Sequence, residues 1–424
     1  MLESVLNAFR APDIRRRVLF VLFILVVFRV LAHVPVPGVD QEALRGFLGD
    51  NPLLNLLDLF SGGGLSTFSV VGMGVNPYIN ASIIMQLMTG VVPRLQQLQR
   101  EGEYGRTRIN QITRYLTVPL AVGQGYAFLA LLRSRNVIAS FDLTSLETVA
   151  QIITLAAGTI LLMWLGELIT ERGIGNGISF IIFAGIVGRI PQGIGAFLES
   201  PDWTSGIAFA AVAVIAVAAI VFIQEGQRRI PIQYASRVRG RRMYQGGSTF
   251  LPLRVNQAGV IPLIFAISIL LFPTQIASYF TGSETTIVKE IANGIVAFFS
   301  NHGVYALLYF LLTVGFTYFY TAFTFKPDET ADQLRKNGGF IPGIRPGNPT
   351  RDYLANVVFH ITLAGALFLG AVAVLPVIVS AALPGLGGLG IGGTAILIVV
   401  GVVVETMKQL EAQLLMRNYE GFIR

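Results

Sequence analysis

Apolar tracts that are nearly free of charged residues recur along this chain, and each is about long enough to cross a bilayer. A transmembrane helix needs roughly 20 consecutive, mostly apolar residues. Charged residues make up 13% of the 424 residues, whereas soluble domains carry about 25%. No charged stretch is longer than a loop. The sequence therefore predicts an all-α polytopic membrane protein without a separate soluble domain.

The tracts number ten, and they divide the chain into a first half over residues 18–196 and a second half over 197–416. Because each half has an odd number of spans, halves that are structural repeats must be inverted, and inverted repeats usually place a pathway at their interface. We find no residue-level repeat, so the alternative is that this division has no structural meaning. The predicted spans are Val18–Val34, Phe68–Val92, Tyr115–Leu132, Val149–Gly166, Ile178–Ile194, Trp203–Gln224, Val255–Phe280, Gly303–Phe325, Tyr353–Leu375 and Gly390–Met407.

Lys and Arg residues predict the orientation, because cytoplasmic loops carry an excess of positive charge. Of the 31 Lys and Arg residues, 25 lie in the N-terminal segment, the loops after even-numbered spans and the C-terminal tail. Five lie in the loops after odd-numbered spans. This asymmetry predicts that both termini are cytoplasmic. We expect an amphipathic surface helix over residues 1–17, because its apolar residues share one helical face, and a short cytoplasmic tail over 417–424.

A glycine-rich, half-polar segment stands where the second span should begin. Ser61–Asn76 contains five glycines and four hydroxyl residues. Non-helical backbone does not face lipid, because each unpaired N–H or C=O group costs several kcal/mol there. We therefore interpret residues 58–69 as a short re-entrant element, followed by a half-length helix that begins at Asn76-Pro77 with proline in its first turn. An ordinary outer loop that ends at Asn76 is the alternative.

Other spans contain irregular or polar positions. The fifth has only about eleven apolar residues between residues 176 and 189, which predicts close packing and little exposure to lipid. Arg29 lies inside the first span, where it either extends to the membrane surface or pairs with a carbonyl. Gln86, Gln124 and Ser268 also lie within spans. Such residues are either functional or join neighbouring helices by hydrogen bonds.

Two cytoplasmic loops carry further information. The loop over residues 225–254 contains seven arginines and one acidic residue. This surplus indicates an anionic partner, such as phosphate, lipid head groups or an acidic protein surface; an ordinary solvated loop is the alternative. The pattern IPIQYASRVRG and the turn YQGGST predict a β-hairpin that projects the arginines. The Pro- and Gly-rich loop over 326–352, with Arg345 at its tip, is typical of a docking feature.

The sequence excludes several function classes. It has no cysteine, and its three histidines lack metal-ligand spacing, so we expect no metal site and no thiol catalysis. It has neither a P-loop nor the paired carboxylates of an intramembrane protease, and we expect no cofactor and no enzymatic activity. The chain is interpreted as a conduit that a partner drives at its basic loops. A small-solute secondary transporter is the alternative, which the scarcity of acidic residues within the spans disfavours.

Eight segments, in order from about Phe20 to Met416, resemble the SecY family of bacterial protein-conducting channels. These segments are FRVLAHVPVPGVD, NPYINASIIMQLM, EGEYGRTRINQITRY, ITERGIGNGISFIIFAGIV, QRRIPIQYASR, GRRMYQGGSTFLPLRVNQAGVIP, PDETADQLRKNGGFIPGIRPG and GGTAILIVVGVVVETMKQLEAQL. One position departs from the family pattern, because Ser236 stands where relatives often carry Lys.

The resemblance implies two inverted five-helix halves around a central hourglass pore with a ring of isoleucines at its constriction. Hydrophobic constrictions close a pore by dewetting. Without the resemblance, ordinary packing within the spans would be the expected role of these residues. Matched by motif, the ring consists of Ile79, Ile83, Ile178, Ile182, Ile261, Ile264 and Ile398.

The resemblance also implies two moving parts. Residues 58–69 would form the plug, a short helix beneath the ring that swings away when the channel opens. The second and seventh spans, with the third and eighth beside them, would form a lateral gate for signal sequences, and Gln86 and Gln124 would stabilise its closed state, with Ser268 also at the gate. The plug residues are Leu59, Phe60, Ser61, Gly62, Gly63, Gly64, Leu65 and Ser66.

The partners implied are the small membrane subunits SecE and SecG, the SecA ATPase, the ribosome through its RNA, signal sequences, unfolded preproteins and membrane lipids. The implied location is the bacterial plasma membrane. The residues implied in docking SecA or the ribosome are Arg228, Arg229, Arg237, Arg241, Arg242 and Arg345.

Overall fold

A computed structural model describes most of the chain, and most of the described chain is helical. The residues described are 11–49, 58, 61–134, 137–138, 145–191, 195, 198, 203–234, 237–239, 242–244, 247–280, 285–382 and 393–420. The helices are α1 (Pro12–Leu31), α2 (Gln41–Gly49), α3 (Asn76–Val91), α4 (Pro93–Arg100), α5 (Glu103–Ser134), α6 (Leu146–Arg172), α7 (Gly177–Val187), α8 (Trp203–Glu225), α9 (Ile261–Phe280), α10 (Thr286–Ser300), α11 (His302–Thr324), α12 (Pro327–Lys336), α13 (Asn348–Ala382) and α14 (Gly393–Glu420).

A helix lies at each of the ten predicted spans, namely α1, α3, α5, α6, α7, α8, α9, α11, α13 and α14. Within the described chain, five helical stretches are long and apolar enough to cross a membrane, and two shorter helices are also apolar. The helical fold class is confirmed, whereas the count of ten crossings stays a prediction. The five stretches are Glu103–Arg133, Leu146–Arg172, Gly206–Glu225, His302–Lys336 and Asn348–Leu375, and the shorter helices are Gly177–Val187 and Ile261–Thr274.

The two halves of the chain pack against each other at two places. On one side, α9 of the second half packs against α3 and α5 of the first half. On the other side, α14 packs against α7. One large apolar core joins these contacts, and it contains side chains from both halves. The centre of the molecule is therefore built from helices that are far apart in the sequence.

Two of the helices that lie at predicted spans of the first half are short. The helix α3 begins at Asn76 with Pro77 in its first turn, as predicted. Asn176 begins α7, because its side-chain Oδ1 accepts hydrogen bonds from the N–H groups of Ile178 and Ser179 at 3.1 and 3.2 Å. This helix ends at Val187, well before the predicted end of the fifth span.

The predicted terminal segments have different bounds in the structure. The helix α1 begins at Pro12, so the last part of the predicted surface helix over residues 1–17 belongs to the first span. Residues 1–10 lie outside the described chain. The helix α14 continues to Glu420, so the predicted tail over 417–424 begins as helix. Both helices extend beyond the apolar tracts, because polar residues outside a membrane continue a helix as readily as apolar residues do.

Strands from the two predicted cytoplasmic loops form a three-stranded sheet and a separate two-stranded sheet. The strands are β1 (Gln227–Tyr234), β2 (Arg237–Arg239), β3 (Arg242–Tyr244), β4 (Ser248–Arg254) and β5 (Gly339–Phe340). Strand β1 pairs antiparallel with β4 on one edge and with β5 on the other, and β2 pairs with β3. Strand β5 comes from the loop over 326–352, which the sequence analysis treated separately.

The predicted hairpin is confirmed, but its predicted turn is wrong. Arg239 lies opposite Arg242 in the β2–β3 pair, so YQGGST does not join these two strands. The stretch YQGGST instead connects β3 to β4. The glycines of this connection gave the stronger turn signal in the sequence.

The three-stranded sheet has its own apolar core. Ile230, Ile232 and Leu253 of the sheet pack with Leu334 of α12 and Leu354 of α13. Burial of an aliphatic side chain stabilises a fold by roughly 1.5–3 kcal/mol. The three-stranded sheet, α12 and the start of α13 therefore share one apolar core, and we call them the β unit.

The helix α10 was not predicted. It lies between α9 and α11 and packs against both. Ala292 is buried, whereas Ile287, Ile291 and Phe298 are exposed. With Lys289 and Glu290 in a 15-residue helix, the segment is too short and too charged for a span, so the sequence analysis treated it as a loop.

Candidate functional site

The seven isoleucines of the implied ring come together in the structure. Ile79, Ile83, Ile182, Ile264 and Ile398 are buried in the central core, and Ile178 and Ile261 pack against it partly buried. They are contributed by α3, α7, α9 and α14. We call these seven residues the isoleucine cluster. Apolar contacts are non-directional, so such a cluster excludes water without fixing one arrangement of its members.

The described part of residues 58–69, which we call the plug segment, is not the short helix that the sequence analysis expected. Asp58 is helical, but residues 61–75 form a run of turns. Gly62 and Gly63 have φ angles of 72° and 85°, which an α-helix of L-residues does not adopt. The expected helix is therefore wrong over residues 61–69. Leu59 and Phe60 lie outside the described residues.

Arg29 joins the first span to the plug segment and to α7. Its Nη1 donates a hydrogen bond to the carbonyl of Gly62 at 2.8 Å, and its Nη2 donates to the carbonyl of Gly188 at 3.0 Å. Of the two alternatives for Arg29, pairing with carbonyl groups is confirmed. One side chain thereby donates hydrogen bonds to backbone oxygens of two other segments.

Gly62 allows the plug segment to lie directly on α7. A Cβ atom added at Gly62 would lie 2.9 Å from Gly185 Cα and 2.9 Å from Phe28 Cζ. Real Cβ atoms do not approach other atoms so closely, so only glycine fits this position without a shift. Gly185 lies one helical turn from Ile182 of the isoleucine cluster. The plug segment and the isoleucine cluster are therefore neighbours.

The C-terminal end of the plug segment is fixed to the chain that follows α1. Thr67 Oγ1 donates to the carbonyl of Ala32 at 2.9 Å. The N–H of Val36 donates to the carbonyl of Phe68 at 2.8 Å. Phe68 is buried, stacks on Phe128 and has a φ of 45°, a conformation that non-glycine residues seldom adopt.

One ion pair of the plug segment was missed by the sequence analysis. Arg189 Nη1 lies 3.0 Å from Asp58 Oδ2. The only signal for it in the sequence was that Arg189 is one of five Lys and Arg residues in the loops after odd-numbered spans. Nothing in the sequence assigned it a partner 131 positions away.

The three implied gate residues lie on helices that meet. Gln86 is on α3, Gln124 on α5 and Ser268 on α9, and these three helices pack against one another. Gln124 and Ser268 are buried, and Gln86 is partly buried. Among the described residues, Gln86 Oε1 and both amide atoms of Gln124 have no hydrogen-bond partner. No hydrogen bond of these side-chain atoms therefore joins the three helices within the described chain.

Three of the implied docking arginines lie on the β unit. Arg228 and Arg229 are exposed on β1, and Arg345 is exposed in the loop that follows β5. The backbone of Arg237 and Arg242 lies in the β2–β3 pair, and Arg241 lies outside the described residues. Because β5 pairs with β1, the structure brings Arg345 into the same unit as Arg228 and Arg229.

Comparisons with known proteins agree with this architecture. The SecY family model matches residues 69–407. The protein translocase subunit SecY of Streptomyces galbus is 45% identical over 446 aligned positions, which cover 100% of both chains.

Two solved structures share the fold. A SecY protein whose plug domain is described as stabilising the closed state of the translocation channel matches with a TM-score of 0.65 at 19% identity, over 93% of this chain and 91% of that chain. Canine Sec61 in a ribosome–channel complex matches with a TM-score of 0.57 at 17% identity, with the same coverage. The resemblance seen in the sequence is confirmed, and the chain belongs to the SecY family.

Proposed function

We propose that this chain is the central subunit of the channel that translocates secretory proteins across the plasma membrane and releases transmembrane segments into lipid. It is a passive pore and not an enzyme, and the SecA ATPase or the translating ribosome drives it. Membership of the SecY family supports the transport of proteins over the transport of small solutes.

The isoleucine cluster is the proposed constriction of the pore. Its members come from both halves of the chain and meet in the central core, which is where a pathway between inverted repeats lies. An apolar constriction excludes water and ions while it is empty. Because its contacts are non-directional, it deforms around an extended polypeptide without binding particular side chains.

The plug segment is the proposed seal on the outer side of this constriction. It lies against α7 beside Ile182, and its turn conformation lets it pack closely without being part of a span. Its C-terminal end is held by Thr67 and Phe68. The part that moves during opening is therefore the part before Thr67, which includes Gly62–Ser66.

The contacts of α9 with α3 and α5 are the proposed lateral gate. An unpaired buried amide group costs roughly 1–3 kcal/mol, and Gln124 of α5, one of the helices of this gate, carries a buried amide without a hydrogen-bond partner among the described residues. The closed gate is thereby less stable than an apolar contact of the same size. A gate of this kind opens readily when a signal sequence enters between the helices.

The exposed arginines of the β unit are the proposed docking surface. Phosphate groups of ribosomal RNA and acidic surfaces of SecA both attract such a cluster, and the canine Sec61 structure is a ribosome–channel complex. We propose SecE and SecG as small membrane partners, and signal sequences, unfolded preproteins and lipids as molecules that the channel contacts. Both termini are cytoplasmic in this arrangement, because the Lys and Arg residues are concentrated on that side.

The convergence of seven isoleucines from four helices is the observation that carries this proposal, and crosslinking tests it. The chain has no native cysteine, so Ile83→Cys or Ile398→Cys introduces a unique thiol. Each variant is paired with a stalled secretory substrate that carries one cysteine. Val214→Cys, at a position 68% exposed on α8, is the control. We expect disulfide formation at the two cluster positions and none at position 214, and only in the presence of SecA or a ribosome.

The same assay tests docking. Arg345→Glu should abolish the crosslink to Ile83→Cys, whereas Lys336→Glu, an equal charge change at an exposed position of the same β unit, should preserve it. A substrate that engages the channel without any crosslink at the isoleucine cluster would contradict the constriction. An undiminished crosslink in the Arg345→Glu variant would contradict docking at Arg345.

A further inference from the structure

The carboxylate of Asp58 is buried between the plug segment and α7. Its side chain is 2% exposed, and Oδ2 lies 3.0 Å from Arg189 Nη1. Its other oxygen, Oδ1, accepts a hydrogen bond from the N–H of Ser66 at 2.8 Å. One oxygen therefore organises the turns of the plug segment, while the other joins that segment to the end of α7.

Arg189 lies where three parts of the chain converge. It follows Gly188, whose carbonyl accepts a hydrogen bond from Arg29, and Arg29 also donates to the carbonyl of Gly62. The side chain of Arg189 is 24% exposed, so it reaches water on one side and Asp58 on the other. The first span, the plug segment and α7 are thus connected by two arginine side chains at one point.

A buried ion pair is well suited to a contact that must be both specific and reversible. The energy of desolvating two charges offsets much of their attraction, so the intact pair adds little net stability. If Arg189 is removed, however, Asp58 loses this countercharge while its carboxylate stays buried, which is strongly unfavourable. When the plug segment moves outward, both charges regain water, and the pair separates at moderate cost.

We propose that Asp58 and Arg189 form a charge latch that holds the plug segment in its closed position, and that separating this pair is a step of channel opening. Both are positioning residues, because they act on the plug segment and not on the translocated chain. The latch rests on the proposed function of residues 58–69 as the plug. It assigns the specificity of the closed position, beside the hydrogen bonds of Arg29 and Thr67, to one pair of side chains that lies outside the isoleucine cluster.

The test measures the position of the plug segment and the leak of the channel separately. Leu65→Cys places a thiol at a buried position of the segment, where the native side chain is 4% exposed. In this background, the full channel complex in proteoliposomes is labelled with a membrane-impermeant thiol reagent, and its resting ion conductance is recorded. The latch variants are Asp58→Asn, which keeps an acceptor for the N–H of Ser66, Arg189→Gln and the double variant. Lys289→Gln, at an exposed position of α10, is the matched charge control.

Each single latch variant should raise the labelling rate by at least about tenfold, the ratio that corresponds to about 1.4 kcal/mol. The double variant should lie between wild type and the single variants, because it leaves no unpaired buried charge. Lys289→Gln should match wild type. If Asp58→Asn is not recovered from membranes, Arg189→Gln alone makes the same prediction.

The latch is overturned if labelling is unchanged in the single variants, or if their effects simply add in the double variant. Faster labelling with unchanged conductance would support the latch, because the segment would move, while contradicting the proposal that this segment seals the pore. Faster labelling together with greater conductance would support both. The failure of the latch and the failure of the proposed plug are therefore distinguishable.

Discussion

The isoleucine cluster and the plug segment lie side by side, yet different forces hold them. The cluster consists of aliphatic side chains from four helices and relies on non-directional apolar contacts. The plug segment is held by hydrogen bonds from Arg29 and Thr67 and by the ion pair of Asp58. An apolar cluster loses stability gradually when its members are changed, whereas directional contacts are either made or lost. Apolar contacts therefore suit a constriction that deforms, and directional contacts suit a segment that moves between two positions.

Of the changes considered, deleting Gly62–Ser66 should have the largest effect on ion conductance. It removes the moving part of the plug segment and leaves the isoleucine cluster intact. We expect the resting ion conductance in planar bilayers to rise by at least about tenfold. A tenfold rise corresponds to a loss of about 1.4 kcal/mol in the stability of the closed state. Membrane insertion of the variant, checked by fractionation, is the control. An unchanged conductance would mean that the cluster alone excludes ions.

Gly62→Ala should have a smaller effect, through the fit of the plug segment on α7. The added Cβ would lie 2.9 Å from Gly185 Cα, and the φ of 72° is itself unfavourable for alanine by about 1–2 kcal/mol. Gly63→Ala is the matched control, because Gly63 has a φ of 85° but no atom closer than 3.9 Å to an added Cβ. Conductance should rise more in Gly62→Ala than in Gly63→Ala. Equal effects would show that backbone strain matters and the contact with α7 does not.

Ile182→Val should have the smallest effect. Ile182 is fully buried, and loss of one methyl group costs roughly 0.5–1.5 kcal/mol. While the plug segment is in place, two barriers stand in series, and we expect little change in conductance. In the background of the Gly62–Ser66 deletion, the same substitution should raise conductance measurably. The same relative change in both backgrounds would contradict two cooperating barriers and would indicate that they act independently.

Much of the helical architecture could be predicted because it depends on local sequence. The start of α3 at Asn76-Pro77 follows from the fixed φ of proline, and the span positions follow from the length of apolar tracts. The pairing of Arg29 with carbonyl groups was one of two alternatives that the sequence left open. The conformation of the plug segment was predicted wrongly, because the signal of a re-entrant element does not distinguish a helix from a run of turns with positive φ.

The β unit also shows that local sequence patterns predict an element better than its pairing. The alternation around Ile230 and Ile232 predicted a hairpin, but not the strand β5 that extends it, because Gly339 and Phe340 are too few for a sequence pattern. The pairing of Gly339 and Phe340 with β1 depends on where α11 and α12 place this part of the chain.

The sequence by itself determined that this chain is a polytopic helical protein, which residues begin its short helices, and that it resembles the SecY family. These properties follow from local patterns and from motifs that are read residue by residue. Only the tertiary structure decided that seven isoleucines share one core, that Arg29 reaches Gly62 and Gly188, and that Asp58 meets Arg189. The physical reason is that these contacts join positions far apart in the chain. Their energies depend on burial and on distances of about 3 Å, which only the packing of helices sets.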